Sequence, residues 1–161
     1  SPLQFRNPNL VTEVRDALTS SGLKPEKLEL EITESAVLGD VVATNEVLEE
    51  LKALGVRLAI DDFGTGYSNL SHLKDFKVDV LKIDQSFVRG KPPGSDALSD
   101  GAIVEAVISM AKAFGLHVVA EGVETHQHAE QLRDLGCDLG QGYYFSKPVT
   151  SGEITSLLQD E

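Results

Sequence analysis

Short runs of β-branched and aliphatic residues alternate along the chain with stretches whose apolar positions recur about every 3.6 residues. The short runs occupy residues 28–33 (LELEIT), 56–61 (VRLAID), 78–83 (VDVLKI), 116–121 (LHVVAE) and 138–143 (DLGQGY). Helical spacing predicts helices over residues 41–54, 68–76, 97–114 and 125–135. Strand followed by helix, repeated, implies βα units and a parallel sheet. Gly55, Gly115 and Gly136 each follow a helical stretch and precede a strand, where a left-handed residue ends a helix. Residues 90–99 (GKPPGSDALS) read as a long loop within one domain.

Alternation within a strand sorts side chains onto two faces. One face carries Glu29, Glu31 and Thr33 in the first strand, then Arg57, Ala59 and Asp61. It continues with Val78, Val80 and Lys82, with His117, Val119 and Glu121, and with Leu139 and Gln141. If these faces line one curved sheet, Glu31, Asp61, Lys82, Glu121 and Gln141 converge at its C-terminal end, where α/β folds build their sites. Glu29, Arg57 and His117 gather at the opposite end, where a buried structural cluster is expected.

A single acid at a strand end is ordinarily a solvated loop-edge group. Several on a face that parallel sheets bury are different, because an unpaired buried carboxylate costs several kcal/mol. Lys82 supplies one positive charge against Glu31, Asp61, Asp62 and Glu121, so one or two divalent cations complete the balance. A donor set made only of oxygens points to Mg²⁺ or Mn²⁺.

Composition narrows the partners. The chain has 161 residues with 26 acidic and 14 basic side chains, a net charge of −12 that disfavours DNA and anionic membrane surfaces. A small nucleotide remains compatible, because bound metal neutralises its phosphates. The lone Cys137 excludes an internal disulfide framework, and no apolar run is long enough for membrane insertion. These features predict a cytoplasmic protein.

The segment DDFGTGYS, from Asp61 to Ser68, sets two acids at a strand end before a glycine-bearing loop that lets backbone approach a phosphate. It lacks the companions of a kinase and misses the dinucleotide-binding fingerprint. His126 and His128 diverge on a helix, and with His72 and Cys137 they take structural readings. No Ser or Cys nucleophile constellation is present.

Together, LELEITES (28–35), DDFGTGYSNL (61–70), VDVLKIDQSFV (78–88), VVAEGVET (118–125) and GQGYYFSKP (140–148) resemble the EAL-domain family of bacterial phosphodiesterases, which open cyclic di-GMP to linear pGpG. The resemblance implies Glu31, Asp61, Asp62 and Glu121 as ligands of a two-metal site, with Asp61 bridging. It implies Lys82 as the residue that holds the attacking water and Gln141 as a polar lining group. Glu34 would anchor the loop from Phe63 to Ser68, and Phe63, Gly64 and Glu124 would contact substrate. Residues 1–5 (SPLQF) resemble a segment that in the family follows a metal-binding Asn, and neither that Asn nor the Glu-Ala-Leu motif occurs in this sequence.

The expected fold is therefore α/β, an incomplete TIM-like barrel of five C-terminal βα units, and residues 1–161 form one truncated EAL domain. Such a chain is expected to be inactive on its own. An exposed sheet edge at each end predicts a homodimer or larger assembly. The parent protein is expected to carry an upstream sensory or diguanylate cyclase domain. Two alternatives stay open: a degenerate cyclic di-GMP-binding or scaffold module, and an unrelated Mg²⁺-dependent phosphatase-like domain, for which no nucleophile motif is present.

Overall fold

The computed structural model describes residues 2–5, 7–37, 41–65, 76–89 and 98–157. Its strands are β1 (Glu29–Thr33), β2 (Arg57–Phe63), β3 (Val80–Ile83), β4 (His117–Ala120) and β5 (Leu139–Gly140). All pair in parallel, in the order β1-β2-β3-β4-β5. A doubly wound sheet reverses direction at a switch point, whereas each strand here is laid beside its predecessor, as in a TIM-like barrel. The fold is α/β, and these strands form part of such a barrel.

The helices are α1 (Pro2–Phe5), α2 (Leu10–Ser21), α3 (Glu34–Val37), α4 (Val41–Ala53), α5 (Gln85–Arg89), α6 (Leu98–Ala113), α7 (His126–Asp134) and α8 (Ser151–Leu157). The expected helices at 41–54, 97–114 and 125–135 correspond to α4, α6 and α7. Most of the expected helix at 68–76, with His72, and of the loop at 90–99 lies outside the described residues. Leu98 and Ser99 already belong to α6. Gly55, Gly115 and Gly136 have φ of 89°, 73° and 75°, the left-handed geometry expected of helix ends. The strand expected at 138–143 is shorter: only Leu139 and Gly140 pair with β4. Gln141 still donates its N–H to Ala120, but the chain then turns over Val123, whose carbonyl accepts from Tyr144.

The outward face of the sheet makes the core. Ile32, Leu58, Ile60, Leu81, Ile83, Val118 and Ala120 pack with Leu48 and Leu51 of α4, Val104, Ile108 and Ala111 of α6, and Leu132 of α7. These strand positions are the alternates of Glu31, Ala59, Lys82 and Val119, so the face assignment read from alternation holds. No helix among the described residues is long and apolar enough to cross a membrane.

Acids placed just ahead of strands fasten the sheet's N-terminal end. Asp79 Oδ2 accepts from the Leu58 N–H at 2.8 Å, and Lys52 of α4 pairs with Asp79 at 2.7 Å. Asp138 Oδ2 repeats the device on the Val118 N–H at 2.8 Å. Asp79→Ala leaves that N–H and Lys52 without their partner, and is expected to cost about 2–3 kcal/mol in urea unfolding.

The cluster expected at this end is only partly present. Glu29 and Arg57 are in register and pair at 3.5 Å, but their side chains are 34% and 41% exposed, and His117 is exposed. The inner face of β1, an outer strand of the sheet, remains open to solvent, so the pair is hydrated rather than buried. Arg57→Ala should therefore shift the urea midpoint by no more than about 1 kcal/mol of stability.

Candidate functional site

At the C-terminal end of β2 the ladder skips a residue. Ile60 pairs with Leu81 and Phe63 with Ile83, so three steps along β2 match two along β3. Asp62 sits in this bulge with φ 55°, a left-handed conformation that aspartate tolerates better than most residues. Plain alternation would send Asp61 and Asp62 to opposite faces; the bulge instead re-aims Asp62 beside its neighbour. Carboxylate oxygens of Asp61, Asp62 and Glu121 lie within 4.8 Å of one another. Glu121 reaches the same point from the end of β4, where its N–H donates to the Ile83 carbonyl.

Lys82 is the hub beneath these acids. Its side chain is 5% exposed, and Nζ lies 2.6 Å from Glu31, 2.7 Å from Glu121 and 3.1 Å from Asp61. Burial alone would lower its pKa, but bonds to Glu121, Glu31 and Asp61 outweigh that and hold the ammonium above the usual lysine range. So held, the ammonium stays protonated at neutral pH in the metal-free chain. Asp62 is pushed up from the usual carboxylate value by burial first, then by Asp61, Asp84 and Glu31, against the opposing pull of Lys82. Asp61 Oδ1 is closed to solvent and makes no well-formed hydrogen bond among the described residues, although Lys82 Nζ is close by. Among the described residues one ammonium thus pairs with three acids and faces a fourth, Asp62, which leaves the group with an excess of negative charge. Such a set fits a hard divalent cation.

Other expected residues divide. Glu34 is 6% exposed and accepts from the Gly64 N–H at 3.0 Å, tying α3 to the loop that follows Asp62. Glu124 is exposed and pairs with Arg89 at 2.7 Å. Glu31 touches Lys82 but stands outside the three-carboxylate group, with its side chain 51% exposed. Gln141 is exposed at the edge of the sheet. Phe63, expected at the substrate, is 5% exposed and belongs to the core, because the bulge returns it to the outward face. His126 lies 3.4 Å from Glu130 on the surface, and the Cys137 thiol, its pKa raised by burial, donates to the Leu139 carbonyl.

Sequence reasoning missed the short helix α5 beside this site. Its signal was Asp84-Gln85-Ser86 directly after β3: Asp84 accepts from the Ser86 N–H and hydroxyl, as a helix-capping acid does.

Known proteins place this geometry. The family model described as the EAL domain matches residues 1–148. The cyclic di-GMP phosphodiesterase NbdA of Pseudomonas aeruginosa is 46% identical over 151 residues, 94% of this chain and 19% of that protein. The crystal structure of the EAL domain of Mycobacterium smegmatis DcpA is 46% identical, with a TM-score of 0.88 over 99% of this chain and 70% of that one. The manganese and cyclic di-GMP complex of Klebsiella pneumoniae BlrP1 is 38% identical, with a TM-score of 0.80 over 90% of this chain and 36% of that one. The chain spans only 19–24% of the length of the curated relatives it matches. The family match over residues 1–148 spans all five strands, Asp61, Asp62 and Lys82, and the chain belongs to the EAL domain family.

Proposed function

We propose that this chain carries the metal-binding side of an active site that hydrolyses cyclic di-GMP to linear pGpG. The observation that bears most weight is the convergence of Asp61, Asp62 and Glu121 above one buried ammonium among the described residues, which cannot balance their charge together with that of Glu31. Divalent cations, Mg²⁺ or Mn²⁺, would be held by these three acids together with Glu31. Bound there, they supply Lewis-acid polarisation of the phosphodiester and a water acidic enough to attack at neutral pH. Relatives named as cyclic di-GMP phosphodiesterases and the manganese complex of BlrP1 support this reading.

The chain's own residues divide the remaining work. Lys82 holds the carboxylates in one place and is read as orienting the attacking water beside them. Glu34 fixes the backbone at Gly64, so that Asp62 keeps its left-handed geometry. Glu124, at the rim, and the Gly64 backbone are placed to meet the dinucleotide, and Gln141 is read as a polar group at the far edge. Residues 1–161 are read as one truncated EAL domain that works inside a longer cytoplasmic protein with a sensory or cyclase domain upstream. A second copy is read as covering the outer strands β1 and β5; Leu139 of β5 and, just after it, Tyr143 and Phe145 stand about 60% exposed.

Chromatography of cyclic di-GMP incubated with Mn²⁺ and a longer protein containing this chain tests the proposal. Accumulation of linear pGpG is the expected outcome. Saturable binding without product would remove the enzyme reading and leave a sensor.

A further inference from the structure

Sheet bonding ends at the ladder pairs Phe63–Ile83 and Ile83–Ala120 and at the Glu121 N–H bond to Ile83, so it does not set the distance between the turn that starts at Gly64, after Asp62, and the turn that starts at Gly122, after Glu121. Helix α5 (Gln85–Arg89) lies against both. On one side, a Cβ added to Gly64 would stand 2.8 Å from Phe87 Cε2, so the ring rests directly on that backbone. Gly64 is thus gripped twice, by Phe87 at its Cα and by Glu34 at its N–H. On the other side, Gly122 has φ 71°, and a Cβ there would collide with Gln85 Cβ and come within 3.4 Å of Arg89 Nε. Two residues further on, Glu124 pairs with Arg89 Nη2 at 2.7 Å.

We propose that α5 is a brace that sets the separation of the Gly64 turn, which follows Asp62, from the Gly122 turn, which follows Glu121, with Phe87 and Arg89 as positioning residues. In its consequence for metal, this rests on reading the carboxylate cluster as a cation site; the mechanical part does not. Lys82 joins Asp61 and Glu121 at their tips. It does not reach the backbone of either turn past the sheet, and α5 touches each turn at a glycine that admits close approach. Arg89 and Glu124 are 44% and 41% exposed, and an ion pair so exposed contributes little to stability. Its effect is on where the Glu121 loop sits.

The test is amide hydrogen exchange of residues 62–65 and 121–124 in this metal-free chain, with Mn²⁺ titration calorimetry on the same variants. Arg89→Ala should speed exchange at 121–124 with the melting temperature unchanged, and weaken Mn²⁺ binding on the order of tenfold, as loss of a residue supporting metal ligands does. Phe87→Ala should speed exchange at 62–65. Arg89→Lys and Phe87→Leu should recover most of each loss, which separates positioning from general loosening of the fold. Wild-type exchange rates in both loops of both alanine variants would overturn the brace, whatever the calorimetry shows. Should the wild-type chain take up no Mn²⁺, the cation reading fails, and the exchange data still decide the brace.

Discussion

Lys82→Met is expected to abolish turnover in a longer protein containing this chain and to destabilise the metal-free chain. Methionine matches the length of the lysine stem but brings no charge. It leaves Glu31, Asp61 and Glu121 facing one another across a site where each had an ammonium within 3.1 Å. Breaking a fully buried pair costs about 3–5 kcal/mol, and because these acids are partly hydrated about 2 kcal/mol is expected here. Urea unfolding without metal measures it. Mn²⁺ should restore part of the loss by replacing the missing positive charge, which a purely steric defect would not allow.

Turnover should not recover, because the water would no longer be oriented, and displacement of one reacting group costs on the order of 100-fold or more. The pH dependence carries the same signature. The folded-state pKa of Lys82 lies above the ordinary 10.5. Its stabilising contribution is therefore complete below the unfolded value and is lost only as pH rises through the higher folded value. Metal-free stability of the wild-type chain should show no Lys82-linked loss between about pH 7 and 10. A loss in that window that Lys82→Met removes would place the ammonium far lower than its three partners imply.

The second large effect contrasts adjacent residues. Asp61→Asn and Asp62→Asn should each abolish most Mn²⁺ binding in calorimetry, since each removes one of three carboxylates within 4.8 Å. Their effects on the metal-free fold should differ in sign. Asp62 has a raised pKa, so its ionisation in the folded chain is opposed. The stability linked to its protonated form is present below the unfolded value and lost as pH rises toward neutrality. Asparagine removes that charge, and it is also at ease at a φ of 55°. Asp62→Asn should therefore raise the metal-free melting temperature slightly, by the equivalent of about 0.5–1 kcal/mol, while binding is lost. Asp61→Asn instead breaks a contact with Lys82 and should lower it. Equal Mn²⁺ binding by both variants and the wild type would move the cation elsewhere.

Much of this was legible in the linear chain, for a definite reason. A strand's side chains alternate whatever it pairs with, so Glu31, Asp61, Lys82 and Glu121 could be assigned to one face, and Leu58, Ile60, Leu81 and Val118 to the other, before any neighbour was known. Long motifs in a fixed order carried the family in the same way. What depended on how strands meet was not legible. A bulge breaks the alternation it sits in, so only the paired sheet shows that Asp62 joins Asp61 and that Phe63 turns back into the core. Burial is a property of neighbours distant in sequence, which is why Arg57 and Glu31 were expected inside and stand partly in water on the outer strand β1 and its neighbour. The sequence by itself determined the fold class, the inner face and the acids near its rim. Only the folded chain shows that one ammonium holds three of those acids, and that α5 touches the turns at Gly64 and Gly122 beyond them, because both depend on backbone positions that no local pattern encodes.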